Sequence, residues 1–315
     1  MNFFPIKGIE TSVSQLIMGT DYYNPDIQEK VDQLLDAYVR IGGNTLDTAY
    51  IYGGGKSEVA CGNWLAARGN RKDIVVLTKG GHPRNGVPRI NKADIREELE
   101  TSLERLQTDY VDLYALHRDD ESLPVGAILE ILNEHLESGK IRALGGSNWT
   151  YQRLQEANDY AASHGLVGFS FSSPNLSLAK AKEPYWAGCV SADADTVRWH
   201  EQSQLPLLSW SSQARGFFTG RFTKEDTSNE DLVRVFYNDE NWERYYRAEK
   251  LAGEKGLTTI QIALAYVLNQ SFPTAALIGA QTQEEMDSCK EGAAVRLTRE
   301  EMDWLDLTRD EAPVV

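Results

Sequence analysis

Short apolar runs alternate with longer segments of helical spacing along most of the chain. Eight of these runs have the length and composition typical of strands that are buried on both faces. In chain order they are SQLIMG, NTLDT, DIVVLTK, YVDLYALH, IRALGGS, VGFSFSS, LPLLSWS and TAALIGA. Because such strands occur in parallel sheets whose connections are usually helices, the pattern favours an α/β protein.

The intervening segments place apolar residues three and four positions apart, as on one face of a helix. Residues 27–43 end in two glycines suited to a helix stop, and residues 91–109 begin with a capping residue, Asn91. Their apolar stripes are Ile27, Val31, Leu34, Leu35 and Tyr38 in the first segment, and Ile95, Leu99, Leu103 and Leu106 in the second. Strand and helix alternating eight times predict a (β/α)8 TIM barrel, with one domain over residues 1–315.

A long insertion separates the seventh and eighth runs, at about residues 216–258, and it is rich in Asp, Glu, Asn, Tyr and Trp. An extended loop at the carboxyl end of a barrel strand usually shapes a binding site. We therefore predict a long insertion loop after strand 7 that contributes to ligand binding. The alternative interpretation is a mobile surface excursion without such a role.

Charge and cysteine content exclude several classes of protein. The formal net charge of −15 argues against nucleic-acid binding, because a phosphate backbone would be repelled. The three cysteines, Cys61, Cys189 and Cys289, are far apart and lack metal-ligand spacing, so neither a disulfide framework nor a metal site is expected. The sequence shows neither a secretory signal nor an apolar stretch of the roughly 18 residues that a membrane span needs. We expect a cytoplasmic protein without a membrane partner.

Four polar residues stand where apolar runs end. Asp47 closes NTLD in the second run, and Tyr52 follows in DTAYIYGGG. Lys79 closes the third run, and His117 closes the fourth. The carboxyl ends of parallel barrel strands meet on one face, so we expect these side chains to lie together. A lysine directly after IVVLT would be buried and would need an anionic partner, for which Asp47 is the candidate. The four residues therefore predict a proton-donating catalytic centre.

The acid of this centre would be Tyr52, since a phenol has a reference pKa of about 10. A lysine cation about 4 Å away, at an effective dielectric of about 20, attracts a phenolate by roughly 4 kcal/mol before desolvation is subtracted. Half of that attraction would lower the pKa of Tyr52 by more than about one unit. His117 would hydrogen-bond to a substrate oxygen and orient it. Neither a cysteine nor an activated serine is near, so the nucleophile is expected to be a hydride from a cofactor.

The GGGKS motif at residues 53–57 does not fit a phosphate-binding P-loop. Such a loop needs a glycine five residues before Gly55, where this chain has Tyr50, and no GxGxxG motif follows a strand. We interpret the glycines as a tight turn after Tyr52, leading into a helix that Ser57 would cap. A Rossmann dinucleotide site is therefore not predicted.

Taken in order, these motifs resemble those of the aldo-keto reductases. That family's DTAxxYG…SE motif matches Asp47 and Tyr52, its strand ending in TK matches Lys79, and its strand ending in LH matches His117. GKIRALGGSNW resembles the family's GKIRxxGxSN, and WSSQARGFFTGRF resembles YSPLARGLLTGKY. The resemblance runs from LIMGTDYY to RLTREEMDWLDL. It implies a (β/α)8 barrel that uses NAD(P)H without a Rossmann domain and reduces small-molecule aldehydes or ketones, or oxidises the alcohols.

The resemblance also implies where NADH or NADPH binds. Ser147 and Asn148 would contact the nicotinamide carboxamide, and Trp210, which replaces the usual tyrosine, would stack on the nicotinamide ring. The loop after Trp210 would follow the pyrophosphate. The residues implied to bind the cofactor are Gly19, Thr20, Asp47, Ser147, Asn148, Trp210, Ser211, Gln213, Gly216, Phe217, Gly220, Gly279, Gln281 and Thr282.

Two positions depart from the family's pattern. Many relatives have a glutamine on the sixth strand that also holds the carboxamide, whereas this chain has Ser170, Phe171 and Ser172. The last-strand motif of relatives usually contains an arginine or lysine that binds the 2′-phosphate of NADP. Here residues 281–285 read QTQEE, and no cation follows before Lys290. We therefore hypothesise weak discrimination between the two cofactors or a preference for NAD.

Two other functions stay open on the sequence. Lys79 could be the Schiff-base lysine of a barrel lyase. The chain could also be a cofactor-sensing regulatory subunit, since the β subunits of some potassium channels are similar to this family. For the substrate, one set of residues could line an aromatic-rich pocket or could equally be packing and surface residues: Tyr22, Tyr23, Arg118, Trp149 and Trp242.

Overall fold

Eight parallel strands close into a barrel with helices between them, which confirms the predicted (β/α)8 fold. The computed structural model describes residues 1–314, so Val315, the last residue of the predicted domain, lies outside the described part. An antiparallel hairpin of β1 (Phe3–Phe4) and β2 (Val13–Ser14) precedes the barrel. The barrel strands are β3 (Leu16–Gly19), β4 (Thr45–Asp47), β5 (Val75–Gly80), β6 (Val111–Leu116), β7 (Ile141–Ser147), β8 (Phe169–Ser173), β9 (Leu207–Ser209) and β10 (Thr274–Ile278).

Each barrel strand pairs with its neighbours in the chain, and β10 closes the barrel against β3. In this circular order β6 lies across the barrel from β10. The helices are α1 (Gln28–Arg40), α2 (Lys56–Arg68), α3 (Lys92–Leu106), α4 (Val125–Glu137), α5 (Tyr151–His164), α6 (Ala194–Ser203), α7 (Glu230–Phe236), α8 (Asp239–Lys255), α9 (Thr259–Leu268), α10 (Gln283–Ala294) and α11 (Arg299–Leu305).

The strands supply two apolar cores, one inside the barrel and one between the barrel and its helices. Successive side chains of a strand point to opposite faces, so one strand contributes to both. On β5, Val75 and Leu77 belong to the interior core, whereas Val76 belongs to the outer one. This alternation decides which strand residues face the barrel axis at the carboxyl end.

The hairpin of β1 and β2 closes the amino end of the barrel, a feature that the sequence did not predict. Phe4, Ile6 and Val13 pack into the interior core. Gly8, between the two strands, has a φ of +105°, and a Cβ atom there would lie 2.7 Å from the carbonyl oxygen of Arg142. Both the positive φ and the close approach require glycine at this position.

The predicted insertion after the seventh barrel strand is largely helical, because it contains α7 and α8. An aromatic cluster joins these helices to the chain after β9. The ring of Phe217 is fully buried and lies 4.9 Å from Trp242 and 5.1 Å from Phe218, between ring centres. Phe218 in turn stacks on Tyr245 at 6.0 Å. These aromatic contacts therefore hold α8 against the start of the insertion, directly after β9.

Within residues 1–314, no helix combines the length and the apolar character that crossing a bilayer demands.

Candidate active site

Three polar side chains point into the barrel at its carboxyl end. Lys79 lies two residues after the inward-facing Leu77, and His117 lies two residues after the inward-facing Ala115. Asp47 follows an outward-facing residue of β4 and therefore faces inward as well. All three side chains are buried, with 1% to 7% of their surface exposed. The structure thus brings together the residues that the sequence placed at three separate strand ends.

Lys79 is the centre of this group. Its ammonium donates hydrogen bonds to Asp47 Oδ1 at 2.6 Å, to the carbonyl oxygen of Thr48 at 2.9 Å and to the hydroxyl of Tyr52 at 3.2 Å. An ammonium has three hydrogens, so all of its donors are used. The expected pairing of Lys79 with Asp47 is present, and the second carboxylate oxygen of Asp47 is buried without a hydrogen-bond partner in residues 1–314.

Tyr52 reaches Lys79 because the chain turns sharply after β4. Tyr52 opens a 3-10 turn, Tyr52–Gly55, in which Gly53, Gly54 and Gly55 have φ angles of 57°, 67° and 93°. Three consecutive left-handed residues explain the glycine run. The expectation that Ser57 caps the following helix is wrong: Gly55 occupies the cap position. The Ser57 hydroxyl instead donates to the carbonyl oxygen of Thr20 at 2.6 Å.

The pKa of Tyr52 differs from the sequence-based expectation. Burial raises the pKa of the phenol to about 12, although the Lys79 cation lowers it in part. The expected net decrease is therefore not found, because desolvation of the phenolate outweighs the attraction of the lysine. For Lys79, burial lowers the pKa of the ammonium, but Asp47 and Tyr52 reverse this and hold it above its ordinary value. Lys79 is thus a cation, and Tyr52 is a protonated phenol.

His117 is a neutral imidazole in this environment. Burial lowers its pKa well below the ordinary range, and the charges of Lys79 and Arg118 add to the effect. The ring lies edge-on to Tyr52, with 5.7 Å between ring centres, and its Nδ1 atom has no partner in the described chain. His82, which was not predicted, follows β5, and its ring centre lies 5.0 Å from that of His117. Burial also lowers the pKa of His82.

A cluster of small polar side chains lies at the ends of β7 and β8. Ser147 donates through its hydroxyl to the carbonyl oxygen of Ser173 at 3.0 Å, and the Asn148 amide donates to Ser147 Oγ and to the His117 carbonyl, both at 3.2 Å. Asn148 has a left-handed φ of 60°. The hydroxyl of Ser173 is buried without a partner in residues 1–314. Ser173 was not predicted, since nothing distinguishes it from the other serines of β8.

Trp210 directly follows β9 and is half-buried, and its indole Nε1 has no partner within the described residues. The backbone after it is compact. Ser211, Gly216 and Gly220 have φ angles of 47°, 88° and 76°, and Gly216 donates its N–H to the carbonyl oxygen of Gln213 at 3.1 Å. This loop lies beside β10 because β9 and β10 are paired.

Positively charged side chains from other parts of the chain lie near the end of β10. Gly279 follows the strand, and Thr282 caps α10. Gln281 accepts a hydrogen bond from the Lys30 ammonium at 3.2 Å and donates its backbone N–H to Glu285 at 2.7 Å. Arg221, from the loop after β9, lies 3.7 Å from the Glu285 carboxylate. The local sequence after β10 gave no sign of these cations.

At β3, the strand next to β10, Gly19 is the final residue, and a Cβ atom there would lie 3.2 Å from the carbonyl oxygen of Ile278. Thr20 follows and donates its hydroxyl to the carbonyl oxygen of Asp47 at 2.9 Å. Among residues 1–314, His, Cys, Asp and Glu side chains form no group of three or more that could hold a metal ion.

Most of the aromatic residues proposed to line a pocket are packing residues. Tyr23, Trp149 and Trp242 are buried in the outer core. Tyr22 is half-buried and donates its hydroxyl to the carbonyl oxygen of Ala280 at 2.9 Å. Trp186 was not among the predicted pocket residues. It is exposed, and its ring centre lies 6.0 Å from that of Trp210.

A model of the aldo/keto reductase family matches residues 15–309 of the chain. The chain belongs to the aldo/keto reductase family. Aldo/keto reductases are oxidoreductases that use NAD(P)H. The matched residues include all eight barrel strands but not the hairpin of β1 and β2. The family resemblance drawn from the motifs is therefore confirmed.

Curated relatives of this aldo/keto reductase align over most of its length. The uncharacterized oxidoreductase YrpG of Bacillus subtilis is 29% identical over 91% of this chain and 90% of its own. The norsolorinic acid reductase of Emericella nidulans is 29% identical over 95% of this chain and 78% of its own. A putative aryl-alcohol dehydrogenase of Saccharomyces cerevisiae is 27% identical over 89% of this chain and 76% of its own.

Solved structures share the barrel. The glycerol dehydrogenase of Gluconobacter oxydans superposes with a TM-score of 0.78 at 26% identity, covering 99% of this chain and 98% of its own. An aldo-keto reductase from Klebsiella pneumoniae superposes with a TM-score of 0.74 at 24% identity, covering 98% and 95%. The two superpositions show that these proteins have the same barrel fold as this chain.

Proposed function

We propose that this aldo/keto reductase reduces aldehyde or ketone carbonyls with NADH or NADPH, or oxidises the corresponding alcohols, and that Tyr52 is its general acid. The proposal rests on one observation: Lys79 donates a hydrogen bond to the Tyr52 oxygen at 3.2 Å. Because that oxygen accepts, its own hydrogen is available to a substrate oxygen. A phenol held in this way can protonate a carbonyl oxygen as negative charge develops on it.

The residues around Tyr52 would act on the substrate in different ways. The hydride for the carbonyl carbon would come from NADH or NADPH. Lys79 would stabilise the phenolate left on Tyr52, and Asp47 holds Lys79 in place as a cation. The neutral His117 would hydrogen-bond to the substrate oxygen and orient it.

The residues at the ends of β7 and β8 fit a nicotinamide carboxamide. This group has both hydrogen-bond donors and acceptors, and Ser147 and Asn148 are hydroxyl and amide side chains at neighbouring positions. We propose Ser173 as the third contact, since its buried hydroxyl has no partner in the described chain. Ser173 would then replace the glutamine that many relatives have on this strand. Trp210 would stack on the nicotinamide ring, which an indole does well.

The rest of the dinucleotide would lie along three neighbouring strands, β9, β10 and β3. Backbone N–H groups in left-handed turns form concave sites that favour phosphate oxygens, and the loop after β9 has such turns. Phe217 would contribute its backbone, because its ring is buried. The proposed contacts outside the nicotinamide are Gly19, Thr20, Ser211, Gln213, Gly216, Phe217, Gly220, Gly279, Gln281 and Thr282.

We propose that the enzyme discriminates weakly between NADH and NADPH or favours NADH. The Glu285 carboxylate accepts the Gln281 N–H at the end of β10 and would repel a 2′-phosphate there. Lys30 and Arg221 bring positive charge to the same region, although Arg221 already faces Glu285. These opposing charges support weak discrimination more than a strong preference for NADPH.

The decisive experiment measures nicotinamide absorbance with a panel of aldehydes, ketones and sugars against NADH and NADPH. One relative is named as a putative aryl-alcohol dehydrogenase, so aromatic aldehydes belong in the panel. We expect cofactor oxidation that depends on the carbonyl. Tight cofactor binding without oxidation across the panel would instead support a cofactor-sensing regulatory subunit.

A Schiff-base lyase is the less favoured alternative. Its lysine must attack as a neutral amine, whereas Lys79 is held as a cation by Asp47 and uses all of its hydrogens in hydrogen bonds. Borohydride added with a keto substrate would trap a covalent adduct at Lys79 only if this alternative were right.

A further inference from the structure

Arg118 carries a buried guanidinium that has no acidic partner among residues 1–314. Its side chain is 8% exposed, and no Asp or Glu among residues 1–314 forms an ion pair with it. Arg244, the other buried arginine of the described chain, pairs with Glu240 at 3.4 Å. The remaining arginines without ion pairs are all exposed: Arg40, Arg84, Arg142, Arg215 and Arg296. Burying an unpaired charge is costly, so the position of Arg118 needs an explanation.

The contacts of Arg118 are all with neutral groups. Its guanidinium donates to the carbonyl oxygen of His117 at 2.8 Å, to that of Ala187 at 3.3 Å and to the sulfur of Cys189 at 3.3 Å. These bonds use three of its five N–H donors and fix the plane of the group. Two donors are left, and a guanidinium in fixed orientation binds a carboxylate well.

The position of Arg118 excludes the cofactor phosphates as its anion. Arg118 follows β6, which lies across the barrel from β10, whereas the proposed pyrophosphate contacts follow β9 and β10. It is instead the direct neighbour of His117, the residue proposed to orient the substrate carbonyl. An anion beside Arg118 would therefore belong to the substrate.

The titratable residues near Arg118 do not neutralise its positive charge. Lys79, the buried cation beside Tyr52, is paired with Asp47 at 2.6 Å. His82 and His117 carry no compensating negative charge, and Asp119, the next residue in the chain, is paired with Arg153 at 2.8 Å. In a protein with a net charge of −15, Arg118 is thus a buried cation that adjoins His117 and has no acidic partner among residues 1–314.

We propose that the carbonyl substrate carries a carboxylate and that Arg118 binds it. This inference depends on the proposed reductase function. It makes Arg118 the residue that determines specificity for oxo acids or formyl acids over neutral carbonyls.

The test compares kcat/KM for matched pairs of substrates that differ in charge: 4-formylbenzoate with its methyl ester, and 4-oxobutanoate with its methyl ester. We expect the wild type to favour the carboxylate by at least about tenfold in one or both pairs, which corresponds to about 1.4 kcal/mol. Arg118→Gln should lower this ratio at least tenfold, and Arg118→Lys should lower it less. Arg142→Gln, which removes an exposed arginine next to the hairpin, is the matched control and should keep the wild-type ratio.

The outcomes separate three cases. If Arg118 only fixes the loop that contains Ala187 and Cys189, its substitution will slow both members of a pair equally and leave the ratio unchanged, and the inference is then wrong. If the wild type reduces the esters well but shows no preference for either acid, the inference also fails while the reductase function stands. If neither acid nor ester is reduced, and the wider panel is inert, the reductase proposal itself fails.

A measurement on the wild type alone guards against an unfolded variant. Benzoate should inhibit reduction of a neutral aldehyde competitively, and at concentrations at least about tenfold lower than benzamide. Equal inhibition by the two compounds would overturn the inference.

Discussion

The ammonium of Lys79 lies 3.2 Å from the hydroxyl of Tyr52 and 4.8 Å from the centre of its ring. These two distances place the cation close to the phenol oxygen and near the electron-rich ring at once. The same ammonium is held by Asp47 and by the backbone of Thr48, so it cannot turn away when the phenol loses its proton. A stabilising charge that is already in place needs no reorganisation during the reaction.

Replacing Tyr52 with Phe should remove the acid and leave the barrel intact. We expect kcat for carbonyl reduction to fall at least about a hundredfold, since general acid catalysis typically contributes that much. Cofactor binding, followed by fluorescence titration, should be unchanged. Tyr50→Phe is the control, because Tyr50 packs its ring on Arg105 rather than on Lys79. Retention of more than a tenth of the turnover by Tyr52→Phe would contradict the assigned role.

Replacing Lys79 with Met should destabilise the protein as well as inactivate it. The buried carboxylate of Asp47 would lose the one charged partner that it has among residues 1–314, which typically costs about 3–5 kcal/mol. Urea unfolding should show this loss in Lys79→Met. The double variant Asp47→Asn/Lys79→Met should recover much of it, because no uncompensated charge is left. Equal stability of the single and double variants would show that the unpaired carboxylate of Asp47 does not cause the loss.

The pH dependence should differ between the two directions of the reaction. Burial raises the pKa of Tyr52 to about 12, so the phenol stays protonated well above neutral pH. Reduction needs that protonated form and should be constant between about pH 6 and pH 9. Alcohol oxidation needs the phenolate, whose fraction rises tenfold per pH unit below the pKa, so its rate should rise over the same range. A reduction rate that falls with a midpoint near pH 7 would assign the acid to another group.

Cofactor preference should respond to Glu285. We expect kcat/KM with NADPH to exceed that with NADH by less than about a hundredfold, equivalent to about 2.7 kcal/mol, in the wild type. Glu285→Ala should shift the ratio towards NADPH by about tenfold, because a carboxylate that repels a 2′-phosphate is removed. Glu284→Ala removes the same charge one residue earlier and should change the ratio less. A hundredfold preference of the wild type for NADPH would refute the hypothesis.

His200 should make folding stability depend on pH. It is fully buried, its Nδ1 lies 2.7 Å from the carbonyl oxygen of Leu205, and burial lowers its pKa to about 4. In the unfolded chain His200 takes up a proton near pH 6.5, whereas in the folded protein it stays neutral down to about pH 4. The contribution of neutral His200 to folding stability is therefore complete above pH 6.5 and is lost as the pH falls to about 4. The loss amounts to about 3 kcal/mol. Urea unfolding of the wild type and His200→Asn should diverge over this range, with the variant changing less.

The strand ends were predictable because their signal is local. Apolar runs ending in Asp47, Lys79 and His117 fix both the strand and the face on which each side chain lies, since alternation along a strand is strict. The hairpin at the amino end was missed because β1 and β2 have two residues each, too few to show a period.

The features of the site that could not be predicted from the sequence depend on contacts between distant segments. The cations near Gln281 come from α1 and from the loop after β9. The pKa of Tyr52 depends on how deeply its turn is buried, and in this protein burial outweighs the lysine. In the sequence, Arg118 is one candidate pocket residue among several, and only the structure shows that it is buried with no acidic partner in the described part of the chain.

The aromatic cluster has a mechanical consequence for the loop that follows β9. Phe217 and Phe218 tie this loop to Trp242 and Tyr245 of α8, with ring centres 4.9 Å and 6.0 Å apart. Any swing of the loop away from the barrel must either take α8 along or pull two phenyl rings into water, at about 1.5–3 kcal/mol for each ring. If the dinucleotide binds along this loop as proposed, its entry and departure would be coupled to the motion of α8.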